Sequence, residues 1–158
     1  MNKSVDVFAA TNPAFLSLVL LSFIEGYNEE ADGGLPFTLA ILPIPIILSG
    51  DLDTTFEGTN IRTGFYSWVK QNPAIVVNLN NRINESIEYI QPAISYGVAR
   101  KTIKIDDKGR LWGLSQNTAN YYNSATLGRI FKNSKRLGNW IGQIKSTKTV
   151  FNHLGLEV

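Results

Sequence analysis

Two carboxylate pairs and one imidazole are the residues whose types and spacing come nearest to catalytic chemistry. Asp51 and Asp53 stand two apart, Asp106 and Asp107 are adjacent, and His153 is the single histidine. Paired carboxylates can hold a divalent cation or divide acid and base roles between them. A histidine can act as a general base where a nucleophile lies beside it. Neither arrangement is complete here. Asp51 and Asp53 fall in a loop-like stretch, "SGDLDTTFEGTN". Asp106 and Asp107 open the turn signal "DDKG", where aspartate is favoured for local hydrogen bonding alone. His153 sits in a short apolar segment, "TVFNHLGL", with no activated nucleophile, and reads as a packing or capping residue. Zero cysteines exclude thiolate catalysis, thiolate metal sites and a disulfide scaffold, and they suit a cytoplasmic protein. No phosphate-binding glycine loop, dinucleotide fingerprint or nucleophile elbow is present. The reading is a non-enzyme with no metal and no cofactor.

What the chain carries in quantity is cations, and they are segregated. Residues 1–60 hold eight acids and one base, a net of −7, while residues 61–158 hold five acids and fourteen bases, a net of +9. Such a division predicts two faces with two jobs, one of them facing DNA phosphate or an acidic protein. The candidates are Arg100, Lys101, Lys104, Lys108 and Arg110, and then Arg129, Lys132, Lys135 and Arg136.

The acidic half is also the greasy one. "GLPFTLAILPIPIILSG", Gly34 to Gly50, contains no charge. It is too short to span a bilayer by helix, which takes about 20 residues, and Pro43 and Pro45 each remove a backbone donor. No basic segment feeds the earlier run "AFLSLVLLSFI", so neither a signal sequence nor a membrane span is expected. The run reads as half core and half subunit interface, with Leu35, Phe37, Leu39, Leu42, Ile44 and Ile46 as the candidate partner-facing residues.

The elements that must position these groups follow from period and punctuation. Asn12-Pro13 is a helix start, and apolar residues cover nearly the whole circumference from there to about Tyr27. Pro36 opens a short helix expected to kink or end near Pro43. Ile61, Phe65, Trp68 and Val69 predict an amphipathic helix that Pro73 stops. Leu79, Ile83, Ile87 and Ile90 predict another, with Pro92 as either a kink or the first turn of a third. "TIKIDDKGRLWGL" is a β-hairpin closing on Gly109. "SATLGRIFKNSKRLGNWIGQI" is strongly amphipathic: Leu127, Ile130, Phe131, Leu137, Ile141 and Ile144 face one way and the bases the other. Gly138 and Gly142 permit a close backbone approach, and Gly155 ends a short closing helix. The sum is a single mainly α domain with one β-hairpin. Residues 1–57 form its apolar, acidic helical part. Residues 58–158 form a winged-helix-like (α+β) part ending in the basic helix, and its third helix and wing could meet DNA.

The motifs "NPAF", "GLP", "SWVKQNP", "IDDKGRL", "RLGNW" and "TVFNHLGL", in that order from Asn12 to about Leu156, resemble one family. It is the small middle component of three-component ABC-ATPase conflict systems, the group that includes Lamassu-type anti-phage defence. The resemblance implies a non-catalytic accessory subunit. Its partners would be an SMC-like coiled-coil ABC ATPase and an effector, often a nuclease, with double-stranded DNA reached through the complex. Two rival readings of the residues are a free-standing winged-helix transcription regulator and a peripheral membrane protein inserting its apolar run.

Overall fold

The computed structural model describes residues 11–114 and 125–157. Asn12 caps the first helix, α1 (Pro13–Glu30), its Oδ1 accepting from the amides of Ala14 and Phe15 at 2.9 and 3.3 Å. Pro13 fills the first helical position, where a missing N–H costs nothing. The all-round apolar surface of α1 has a plain cause: the helix is central. Leu16, Val19, Leu20, Leu21, Phe23 and Ile24 are all essentially inaccessible to solvent.

Two long helices flank it. One is α4 (Leu79–Ala99), the other α5 (Ala125–Gly142), and both pack on α1. The α1–α5 contact is backbone on backbone. A Cβ at Gly26 would lie 1.9 Å from the Lys135 carbonyl oxygen, one at Gly138 2.0 Å from that of Phe23, and one at Gly142 2.6 Å from that of Tyr27. Ser134 is buried at this crossing and donates to the Val19 carbonyl at 2.7 Å. The expected role of Gly138 and Gly142 is therefore observed, and Gly26 completes it from the other helix. The expected start of α5 at Ser124 lies outside the described residues.

The uncharged run breaks before Pro43 and again after Ile47, and Pro45 lies within the helix between. Phe37–Ile41 is a 3-10 helix, α2 (Pro43–Ile47) begins afresh with Pro43 in its first turn, and Gly50–Phe56 is again 3-10. α3 (Phe65–Gln71) starts later than its apolar spacing suggests, because Gly64 takes φ +79 and breaks any helix there. Ile61 is left exposed in the preceding turn. Between these pieces lies an aromatic cluster. Phe56 stacks on Trp140 with centroids 5.9 Å apart, and Trp68 lies 5.0 Å from Phe56 and 5.5 Å from Trp140. Each indole is satisfied, Trp68 by Thr55 Oγ1 and Trp140 by the Asn60 carbonyl.

Strand β1 (Ile103–Ile105) pairs antiparallel with β2 (Leu111–Gly113), Lys104 opposite Trp112. Asp106 organises the turn: its carboxylate accepts from the Lys108 and Arg110 amides and from Trp112 Nε1, each at 2.9 Å. Gly109 takes φ +76, as the turn type requires. Leu35 then adds itself to the outer edge of β2, exchanging two 2.9 Å bonds with Leu111. The last helix, α6 (Thr147–His153), is capped by Ser146 and ends in a Schellman pattern with Gly155 at φ +70.

The result is mainly helical with one small two-stranded sheet. One expectation fails in the middle. α4 runs unbroken through Pro92, so the second and third helices of the winged-helix order are a single helix. Tertiary packing holds it together: Ile90, Ala93, Ile94 and Gly97 are all buried, while Pro92 itself faces solvent.

Candidate functional site

Of the nine candidate cations, four lie on α5, four stay exposed where α4 meets the hairpin, and Arg110 stands apart from both groups. On α5 two of the four bases turn to acids of the first half of the chain. Lys135 Nζ meets Glu29 at 3.1 Å and Arg129 meets Asp53 at 3.7 Å. Arg136 is half-buried and donates to Thr59 Oγ1 at 3.0 Å and the Phe56 carbonyl at 3.5 Å; burial pushes its guanidinium below the usual arginine range. Lys132 is exposed on the same helix. Part of the charge division thus stitches the two halves to each other. Arg82 of α4 adds the best-formed pair, both guanidinium nitrogens on both oxygens of Asp51 at 2.9 and 2.7 Å. That contact holds the Asp51 carboxyl below its ordinary range.

The second group stays on the surface. Arg100, Lys101, Lys104 and Lys108 are exposed, and none forms a salt bridge among the described residues. They sit where α4 ends and the hairpin begins. Arg100 caps α4 and lies 6.0 Å above the Tyr96 ring. Lys101 takes φ +61, with its amide on the Val98 carbonyl and the next amide on the Gly97 carbonyl, a Schellman ending with lysine where glycine is usual. Lys104 stands on β1 and Lys108 in the turn. Arg110 does not belong to this surface: it is half-buried and donates to the Gly34 carbonyl at 3.2 Å. The same end exposes Tyr96, Val98, Ile105 and Leu114. Ile105 is one that sequence reasoning misses, since strand alternation puts it on the face of buried Ile103, yet it is exposed.

The apolar candidates need correction. Leu35, Leu39, Leu42, Ile44 and Ile46 are each 3% exposed or less and belong to the chain's own core, because α1, α4 and α5 all close over this run. Phe37 alone of the six is exposed, at 47%. The run's other surface trace is a cleft against α4.

Three of the four paired carboxylates have structural partners, and Asp107 is exposed in the turn. Asp51 and Asp53 go to two arginines, and Asp106 holds the turn. His153 packs edge-on to Tyr66 and Phe65, with centroids at 5.1 and 6.3 Å. It lines a cleft of about 530 Å³ beside Trp140 and Gln143, where no lysine or carboxylate among the described residues joins it. Among the described residues no group of three metal-ligating side chains gathers, and no single helix is long and apolar enough to cross a membrane. The bent pair Phe37–Ile47 and Gly50–Phe56 has that composition but turns through 99°.

The family model described as "ABC-three component (ABC-3C) system Middle Component 3" matches residues 5–158. No curated protein and no solved structure matches the chain.

Proposed function

The chain belongs to the middle component 3 family of ABC-three component systems, accessory rather than ATPase subunits, and from that premise we propose that it is a non-catalytic adaptor. It joins an SMC-like coiled-coil ABC ATPase to an effector, often a nuclease, in a defence complex of the Lamassu type. The observation that supports docking is the surface where α4 meets the hairpin. Four exposed cations there, none in a salt bridge among the described residues, accompany four exposed apolar side chains. Phosphate recognition uses cations and polar donors and needs no apolar anchors, whereas a protein interface combines apolar anchors with charge complementarity. An acidic, apolar-patched surface of the ATPase or the effector fits this end better than a bare duplex does.

Charge reversal of Lys101, Lys104 and Lys108 to glutamate tests the reading in the complex assembled with the other two components. The expected result is assembly weakened by at least about tenfold, as for desolvated like charges, with the DNA salt dependence of the whole complex unchanged. The second reading, contact with duplex DNA, is favoured by the same cations. It predicts intact assembly and a log–log salt slope lower by roughly three, about one per lost phosphate contact.

A further inference from the structure

The cleft between α2 and α4 encloses about 300 Å³. Ile44, Pro45 and Leu48 form one wall; Ser86 and Tyr89 of α4 form the other. Ser86 donates its hydroxyl to the Ile83 carbonyl of its own helix at 3.1 Å. Its proton is thus engaged within the helix, and what it presents to the cleft is a small floor with no donor to offer. The one cation lining the cleft, Arg82, is already neutralised by both oxygens of Asp51. The rim is left acidic. Glu85 lines it, Glu88 stands next to Tyr89, both are exposed, and neither forms a salt bridge among the described residues. The Glu88 charge reaches the wall, since it pushes the Tyr89 phenol above its ordinary range.

We propose that this cleft receives a cationic segment of a partner subunit, one apolar side chain seated against Ser86 and its lysine or arginine neighbours on Glu85 and Glu88. Size and sign argue for that occupant. The volume lies at the bottom of the range for small-molecule pockets, and it suits a single anchoring side chain of the kind that dominates interfaces. Asp51, Glu85 and Glu88 stand against the single Arg82, which Glu85 also feels, so the rim is net negative; it attracts a cation and rejects an acidic segment. The cleft is thus opposite in sign to the surface at the hairpin, so a single acidic partner surface cannot satisfy both. The inference rests on the chain being an assembly component but not on the hairpin surface.

The experiment places the photo-crosslinking residue benzoylphenylalanine at Leu48 of the full chain, assembled with the other two components of its system. The expected adduct joins Leu48 to a peptide of one of them in which lysine or arginine flanks an aliphatic or aromatic residue. The double variant Glu85→Lys, Glu88→Lys changes two exposed residues and spares the core. It should abolish that adduct and lower affinity for the same component by about tenfold or more at low salt. Crosslinking to a second copy of this chain, to a peptide without basic residues, or to nothing in the assembled complex overturns the proposal. So does undiminished affinity in the double variant. The Lys101, Lys104, Lys108 charge reversal separates the two readings. If it blocks assembly while the Leu48 adduct never forms in the unreversed complex, the cleft proposal falls and the adaptor reading stands; if neither set of reversals alters assembly, both fall.

Discussion

Lys101 occupies the left-handed position that ends α4, with φ +61. An L side chain there costs about 1–2 kcal/mol relative to a helical conformation, and glycine removes most of that strain. Glycine also gains chain entropy when unfolded, by about 0.4–1 kcal/mol, so the two effects partly cancel. Lys101→Gly should therefore leave the unfolding midpoint unchanged or slightly raised. If the cation serves a partner, the same variant should weaken assembly. Loss of stability with unaltered assembly would mean that the lysine is held for folding alone. Asp106 makes the opposite kind of contribution. Its bond from Trp112 Nε1, then those from the Arg110 and Lys108 amides, hold the carboxyl below the usual range. A depressed carboxylate stabilises the fold above its unfolded value, near 3.9, and that stabilisation is lost as pH falls through the lower folded value. Asp51, depressed by Arg82, works in the same direction. Stability measured by denaturant at a series of pH values should hold from neutral to about pH 5 and decline below about 4. Asp106→Asn should start lower at pH 7 and decline less. An identical pH slope in that variant would sever the link between the turn and acid sensitivity.

At the scale of elements, the tightest constraint is the crossing of α1 and α5. Gly138→Ala puts a methyl group 2.0 Å from the Phe23 carbonyl oxygen, and backbone cannot step aside as a flexible side chain would. The helices must separate, at a cost of about 1–3 kcal/mol or more by the measure of overpacked cores. Gly50→Ala, where nothing lies within 4 Å, should change stability by no more than about 0.5 kcal/mol. Equal effects at the two positions would refute a backbone crossing. These elements differ in how far the sequence discloses them. Asn12-Pro13, the Asp106–Gly109 turn and Gly155 carry their own local geometry, and each appears where it was expected. Gly138 and Gly142 stand out by spacing, but Gly26 has no local signal, because its reason is the Lys135 carbonyl more than a hundred residues away. Pro92 misleads for the same reason. Its local preference is to break a helix, and burial of Ala93, Ile94 and Gly97 overrides it. The apolar run could be read as interface because hydrophobicity says only that a segment must be covered. That three helices of this same chain cover it is a long-range fact.

For the whole molecule, the question is how much of its cationic half is available to anything outside it. A net of −7 in the first 60 residues against +9 in the remainder suggests a strongly basic face. Yet Arg82, Arg129 and Lys135 lie against Asp51, Asp53 and Glu29. Each such pair is exposed enough that its stabilisation is modest, about 0–1 kcal/mol. Their larger effect is on the field: paired charges cancel at a distance, and the hairpin end keeps a cluster of four exposed cations with no salt bridge among the described residues. Neutralising the three acids together, as Glu29→Gln, Asp51→Asn and Asp53→Asn, isolates this effect. Net charge rises from +2 to +5 while every base is kept. The fold should survive, with its midpoint only slightly lowered. Weak, sequence-tolerant binding to duplex DNA should strengthen, and its log–log salt slope should steepen by up to about three as Arg82, Arg129 and Lys135 become free to displace counterions. Titrations of both proteins at several salt concentrations decide the matter. Equal slopes would show that the α5 cations were as available before the acids were removed as after. The basic helix would then rejoin the hairpin as a single binding face, and the division between a stitched helix and an open hairpin surface would have to be abandoned.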